Sequence, residues 1–549
     1  MNQKANLSTL PTRSKLRPQK KTRLVRESRK LRRHESLIIF IVNLVLHIGL
    51  GYLFNQVLLL GNGDAYSRTA NAYYVLYSRD PHLAAIGFIW PPLPSLLQLP
   101  LLPILRPFDL TLMAAPLQLA PFSAGTIVLL NIVLARFNLP EKLRWLLVIL
   151  IMFQPNYLYL SAIGMSEPFL TFCILVTIWG YLQMPYGTRS WVICGAGMAL
   201  AFLVRYESLG LMAGAVFAVI ILFWNTVDEN WSELEGRLLS VLVPPIYAIG
   251  VWVFMNWMIM DDPFYFLLSE YSLTNAGDTA KMAGNAHPLY LAWGNIFLSI
   301  SYMIKRTIQQ NLAVLPATLL VLPASILQKK PKYIGLLFIF VGIPALSDAH
   351  VFIGSFPTWF RYWLYAGIFG VLLIAMTYNL FKGFWRNIFV AVLTLLAALS
   401  IPFSLHAMLV DDTIEADLKR FAFYMFDREE EVEWREVDGF YINRHDAPII
   451  ADKIDELTQE SLVMLDAKMN YYVVLDVDQP ERLVINNDSD FYSVVTNPRG
   501  KVGYVLVPDT INIFDAIYPG IYDGIYDWTE LVYEFEDTMV DYRVFKILP

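Results

Sequence analysis

Residues 61–92 hold an acid, a base and a run of aromatics in one short stretch. The order is Gly61-Asn62-Gly63-Asp64-Ala65-Tyr66-Ser67-Arg68, then Tyr73, Tyr74, Tyr77 and Asp80, and on to Trp90-Pro91-Pro92. A carboxylate such as Asp64 takes a proton from a hydroxyl as a general base. A guanidinium such as Arg68 is a planar, permanently charged fork that suits phosphate and stabilises negative charge as it develops. Each also has a purely structural reading. Asp64 follows Gly-Asn-Gly and precedes a helix-like run, so it suits a helix N-cap. Arg68 stands one turn later on the same face and is placed to pair with it. Tyr66, Tyr73 and Tyr77 share a helical face and read first as anchors at a membrane–water interface.

The surroundings of that stretch are apolar. Of 549 residues, 56% are hydrophobic and only 16% are charged, against about a quarter charged in soluble proteins. The net charge of −6 hides an asymmetry. Residues 1–36 carry twelve bases from Lys4 to Arg33 against Glu27 and Glu35, whereas the chain from about 409 is acidic, with Asp411-Asp412, Glu429-Glu430-Glu431 and Glu536-Asp537. The basic head precedes an apolar run long enough to span a bilayer, with no small-residue cleavage site after it. It reads as a cytoplasmic tail that orients the first span, not as a nucleic-acid-binding arm. Cys173 and Cys194 lie in apolar runs and exclude a disulfide framework.

Apolar runs predict about eleven spans, near 37–60, 111–135, 145–162, 167–184, 190–206, 208–225, 238–260, 311–328, 333–347, 360–381 and 387–408. Segments 61–110 and 261–310 form the two large loops, the piece 291–304 reading as an interfacial helix. With the tail inside, the basic loops Glu141–Arg144, Lys329–Lys332 and Lys382–Arg386 all fall inside, as the positive-inside rule requires. The acidic loop 226–237 falls inside as well, which that rule tolerates. Residues 409–549 contain no span and fall outside as a small α/β domain. Its expected strands are Tyr471–Asp476, Arg482–Asn486, Val502–Val507 and Leu531–Phe535, with helix in parts of 412–434 and 448–460.

This topology gathers the unusual polar residues on one side of the membrane. Asp64 and Arg68 lie in the first outer loop, and Glu167, in Ser166-Glu167-Pro168, begins a span from outside. Arg205-Tyr206-Glu207 joins two spans outside, Asp261-Asp262 opens the second outer loop, and His350 and Arg361-Tyr362 flank a further span. An ionisable residue at membrane depth is costly and is by default a functional hypothesis. Carboxylates, guanidiniums and aromatics in an outward cavity at lipid depth suit a lipid-phosphate-linked sugar. One acid activates the acceptor hydroxyl, arginines hold the phosphate, and aromatic rings meet the sugar face.

The same residues resemble a family. A basic tail and one span lead to Gly63-Asp64-Ala65 with Arg68. Trp90-Pro91-Pro92-Leu93-Pro94, Ser166-Glu167-Pro168, Leu203-Val204-Arg205-Tyr206-Glu207 and Asp262-Pro263-Phe264-Tyr265-Phe266 follow, with an outer C-terminal domain last. Over about 37–410 this layout is similar to the GT-C superfamily of integral membrane glycosyltransferases. It lies on the side of the dolichyl-phosphate-mannose-dependent enzymes and the lipid A aminoarabinose transferases. The resemblance implies a polyprenyl-phosphate-sugar donor, transfer on the outer face, inversion at the anomeric carbon, and Asp64 as the base. The protein mannosyltransferases place a second acid directly after the first. Here that position is Ala65, so a divalent metal is left open without a paired acid to support it, and no other cofactor is expected.

The expected site is therefore Asp64 and Glu167 as catalytic groups, with Arg68, Arg205, Glu207, Arg361 and Tyr362 binding substrate and phosphate. Against this, Glu167 could cap its helix, Arg205 and Glu207 could satisfy each other, and Arg361 could snorkel to headgroups. Asp261-Asp262 reads as a solvated turn and His350 as a satisfied loop histidine. The rival functions are a secondary transporter, which would want ionisable groups near mid-span and two matching halves, a lipid-linked polysaccharide ligase or polymerase, and a non-catalytic scaffold of the same fold. The chain reads as integral to a prokaryotic plasma membrane, or to the endoplasmic reticulum in a eukaryote, and its acceptor is left open among protein, lipid and glycan.

Overall fold

A computed structural model describes residues 18–224, 231–269, 272, 292–355, 358–432, 439–510 and 512–549. The first part of the basic tail, the acids Asp228 and Glu229, and 273–291 of the expected second loop lie outside the described residues. A bilayer gives backbone groups no partner but one another, so long apolar runs become helix. Among the described residues seven helices are long and apolar enough to cross a membrane. They are His34–Val57, Thr111–Ala135, Ser166–Tyr186, Trp231–Met260, Pro331–Ile353, Phe360–Leu380 and Gly383–Val410.

Two bent pairs raise the number to nine if each counts as one span: Glu141–Met152 with Pro155–Ala162 (55°) and Ile296–Gln310 with Val314–Leu327 (104°). Arg189–Val204 and Ser208–Phe223 are apolar but only 16 residues long. Every expected span coincides with a helix or a bent pair, yet length and composition qualify seven to nine rather than eleven. The expected interfacial piece 291–304 is helical over Ile296–Gln310. The sharp bend after it has a local cause. Asn311 leaves the helix in extended conformation, and its side chain accepts the Ala313 N–H at 2.9 Å and donates to the Gly367 carbonyl at 3.2 Å.

The tightest helix pair is Ser208–Phe223 against Pro331–Ile353. A Cβ on Gly210 would meet the Gly342 carbonyl oxygen, one on Gly342 the Gly210 oxygen, and one on Gly214 the Phe338 oxygen, each closer than 3.0 Å. Small residues four apart let membrane helices approach until backbones touch.

The C-terminal region carries a five-stranded mixed sheet in the order β2-β1-β3-β5-β4. The strands are β1 (Val463–Met464), β2 (Leu483–Val484), β3 (Tyr504–Pro508), β4 (Thr529–Glu534) and β5 (Tyr542–Ile547). β1 runs parallel to β2 and β3, while β5 is antiparallel to β3 and β4. Alternation sorts its side chains. Val463, Leu483, Leu506 and Val544 share one core with Tyr66, Tyr73 and Tyr74, whereas Met464, Val484, Val505 and Phe545 build a second core on the other face.

The stretch Tyr471–Asp476, expected as a strand, is the end of the helix Ala467–Asp476. Its β-prone residues are overridden by Asp466, whose carboxylate accepts the Lys468 N–H at 3.0 Å and caps the helix. Strands β1 and β5 were not expected from the sequence. The helices expected in parts of 412–434 and 448–460 are Ala416–Met425 and Gly439–Thr458.

Gly210→Val forces two backbones apart and is expected to cost about 1–3 kcal/mol or more. Gly250→Val, at a glycine with open space beyond it, serves as the control. Melting curves in detergent should show a lowered midpoint for the first and none for the second.

Candidate active site

Five separated parts of the chain meet at one end of the helices. The helix Gly63–Tyr77 starts with Asn62 as its cap, in extended conformation, its side-chain oxygen accepting the Asp64 N–H at 2.8 Å. The capping role the sequence offered to Asp64 thus falls to Asn62. The Asp64 carboxylate is left in the first turn, where the positive end of the helix favours an anion. Arg361 donates to Asp64 Oδ2 at 2.5 Å and to Asn62 Oδ1 at 3.2 Å. Its Nε lies 3.5 Å from Glu167 and 3.7 Å from Glu415. The guanidinium also faces the Trp359 and Tyr362 rings.

Glu167 sits in the first turn of Ser166–Gln183, 2.9 Å from Arg205. Arg205 stands just past Arg189–Val204, donates to Ser166 Oγ at 2.9 Å, pairs with Glu207 at 2.6 Å and lies over the Tyr362 ring. The acids and arginines are thus interleaved, and a small cavity opens among Glu167, Arg205, Glu207, Arg361, Tyr362 and Tyr365. The Asp64 side chain is 43% exposed. Burial by the surrounding protein opposes its ionisation, but the guanidiniums of Arg361 and Arg68 outweigh it and hold the carboxyl below its ordinary value.

Arg68 differs from the other two arginines. It is 7% exposed, yet among the described residues it makes no hydrogen bond and no ion pair, and its Nη1 is buried without a partner. Its contact is with the Trp90 ring, 4.7 Å away. Burial and the nearby Arg205 pull it down to about 10, so it stays charged at neutral pH. The i,i+4 pairing with Asp64 allowed by the sequence is not made, because Asp64 is taken by Arg361.

Sequence reasoning missed three members of this assembly. Asn62 is the cap. Glu415 accepts the backbone N–H of Phe360 at 3.0 Å and of Arg361 at 3.3 Å. Asp417 accepts from Asn62 Nδ2 at 2.9 Å and from the Tyr159 hydroxyl at 3.3 Å. The available signal was an acid run, Asp411 to Asp417, directly after the last long apolar stretch. Burial raises Glu415 to about 7, with Arg361 pulling it down and Asp417 pushing it up.

Other expected residues lie elsewhere. Tyr66 packs on Tyr472, and Tyr73 and Tyr77 stack on each other and on Arg106, so this face docks the C-terminal region rather than anchoring in lipid. Asp262 accepts the Phe264 N–H and closes a turn. His350 is in the last turn of Pro331–Ile353, not in a loop, and bonds Ser355. A larger cavity, lined by Tyr73, Arg106, Arg444, Asp452, Asp476 and Asp478, holds none of the expected catalytic residues. Among the described residues no group of three or more His, Cys, Asp or Glu is placed to hold a metal ion.

ArnT from Cupriavidus metallidurans, solved bound to undecaprenyl phosphate, superposes with a TM-score of 0.51 at 14% identity, over 94% of this chain and 97% of that one. The fold is GT-C. With its long apolar helices, the chain is an integral membrane protein. ArnT in the apo state gives 0.46 at 13% identity over 95% and 98%. The apo oligosaccharyltransferase of Archaeoglobus fulgidus gives 0.42 at 10% over 86% and 69%. No family model and no curated protein sequence matches the chain.

The folded chain holds the Glu415 proton more tightly than the unfolded chain does. Its contribution to stability is full below about pH 4.5 and is lost as the pH rises through about 7. Glu415→Gln copies the protonated acid and is expected to flatten that decline. Melting midpoints of both proteins from about pH 4 to 8 check it, and equal slopes would count against the assignment.

Proposed function

We propose that the protein is a glycosyltransferase that moves a sugar from a polyprenyl-phosphate-linked donor to an acceptor hydroxyl, with Asp64 as general base. A fold alone does not fix an activity, so the reading rests on the site. One observation carries it: Arg68, a buried guanidinium that makes no ion pair among the described residues, stands one helical turn from the half-open carboxylate of Asp64. Such a cation calls for an anion from outside the protein, and a lipid phosphate supplies one at membrane depth. The ArnT structure that shares this fold holds undecaprenyl phosphate.

In the proposed step the acceptor hydroxyl gives its proton to Asp64 Oδ1, the oxygen not bonded to Arg361, while its oxygen bonds to the anomeric carbon. The bond from that carbon to the phosphate oxygen breaks, and the electron pair leaves with the polyprenyl phosphate. Attack from the face opposite the phosphate inverts the anomeric centre. Arg68 receives the developing charge. Arg205 and Arg361 reach the phosphate only while keeping their acid partners, so Arg361 chiefly keeps Asp64 ionised and oriented. Glu167 and Glu207, with Tyr362, orient the sugar or the acceptor.

The same reading places residues 1–36 in the cytoplasm and 37–408 in the membrane as the catalytic part. Residues 409–549 then lie on the extracytoplasmic side, with transfer at that face. A prokaryotic plasma membrane is the favoured setting. The transporter reading has less support, because the ionisable cluster lies at helix ends rather than near mid-span.

The decisive assay incubates purified protein in detergent with a panel of polyprenyl-phosphate sugars and measures free polyprenyl phosphate. Wild type is expected to release it, Asp64→Asn to release on the order of 100-fold less with unchanged abundance, and Arg68→Gln to lose donor affinity first. Equal release from wild type and Asp64→Asn would remove Asp64 as the base and point to Glu167. No release from any donor by folded protein would bring the transporter and scaffold readings forward. Because its arginines hold Asp64 below its ordinary value, kcat/KM should stay level through the ordinary aspartate range and fall only at more acidic pH. In Arg361→Gln that acidic limb should move upward, as a pH–rate profile would show.

A further inference from the structure

We propose that Glu415 and Asp417 are positioning residues that hold Arg361 and Asp64 in register from the turn leading into the C-terminal region. The catalytic readout of this proposal rests on the glycosyltransferase reading above. Arg361 lies in the short turn Phe360–Trp363, whose own residues provide no side-chain cap. Glu415 supplies that cap from 54 residues away by accepting the Phe360 and Arg361 N–H groups. Asp417 acts on the other half of the pair. By accepting from the Asn62 amide nitrogen it fixes which way that amide faces. The Asn62 oxygen is then turned toward both the Asp64 N–H and the Arg361 guanidinium. A flipped amide would lose all three bonds together.

The turn that bears these acids is itself anchored on both sides. Arg420 donates to the Leu59 and Leu58 carbonyls, where the first apolar helix ends, and Phe421 packs on Phe54 and Tyr159. On the other side the fully buried Arg306 donates to the Thr413 carbonyl at 2.5 Å, to Asp411 at 3.2 Å and to the Thr358 carbonyl at 2.7 Å. Thr358 is three residues before Arg361. Residues 411–421 thus bridge the two strands of chain that carry the acid and its guanidinium. Two neighbouring buried acids are a poor way to gain stability, since apolar side chains of similar size do so at lower cost. They do deliver fixed geometry, and neither lines the cavity among the catalytic groups.

The test compares wild type with Glu415→Ala, Asp417→Ala and Glu415→Gln in the donor assay and by amide hydrogen exchange of the full-length protein. Misplacement of reacting groups by about 1 Å costs on the order of 100-fold. Both alanine variants should therefore lose roughly 10- to 100-fold in kcat with the donor KM within about twofold, while Glu415→Gln, which keeps one of the two acceptor oxygens, restores part of it. Exchange should rise over 360–363 in Glu415→Ala and over 62–66 in Asp417→Ala, with strand β3 unchanged. Unchanged exchange at both segments would overturn the proposal, as would a kcat loss that only tracks faster exchange of β3. A wild type inactive on every donor would defeat the glycosyltransferase reading instead, and the two exchange measurements would then decide the positioning roles alone.

Discussion

Burying a guanidinium where membrane helices end is costly unless acids meet it. The structure is arranged around meeting that cost for Arg361. Asp64, Glu167 and Glu415 approach it from three directions, with Asn62 accepting a further hydrogen bond and Trp359 and Tyr362 covering its faces. These groups come from four regions far apart in the chain. No one of them can move without leaving a charge or a donor unmatched at low dielectric. The interlock therefore ties the 61–110 segment, the helix starting at Ser166 and the entry to the C-terminal region to a single point.

Arg205 extends the same scheme through Glu167 and Glu207. Arg68 stands outside the scheme. Among the described residues its one direct contact is the Trp90 ring, a weak partner compared with a carboxylate, and Asp64, Glu167 and Glu207 act on it only from a distance. A protein that neutralises two of three neighbouring arginines with acids and leaves the third open has arranged a difference in local potential. That difference, more than the number of cations, directs an incoming anion to one place.

Much of this was legible in the residues. Apolar length located the helices, and the alternation of basic loops placed Asp64, Glu167, Arg205 and Arg361 at one end. What was not legible has physical reasons. Asn62 and Asp64 are both good caps, and only geometry chooses between them. Glu415 and Asp417 were hidden within an acidic tail, because the partners of Glu415 lie 54 and 55 residues away and those of Asp417 lie 258 and 355 away. Tyr66, Tyr73 and Tyr77 were correctly placed on one helical face, but the sequence could not say that protein rather than lipid would cover it. Tyr471–Asp476 is β-prone by composition, and its helix is imposed by a cap at Asp466 and the packing around it. The short β1 pairs only through neighbours distant in sequence, so it leaves little local trace.

The ion pair between Asp64 and Arg361 joins residues 297 positions apart, and that separation has a consequence in time. A ribosome adds about 5–20 residues per second, so roughly 15 to 60 s pass between the emergence of the acid and of its guanidinium. Throughout that interval the loop carrying Asp64 is a half-built socket. Glu415 arrives later still, 54 residues after Arg361. The site is thus closed from its C-terminal side, and until residue 361 is made the Asp64 carboxylate lacks its guanidinium partner.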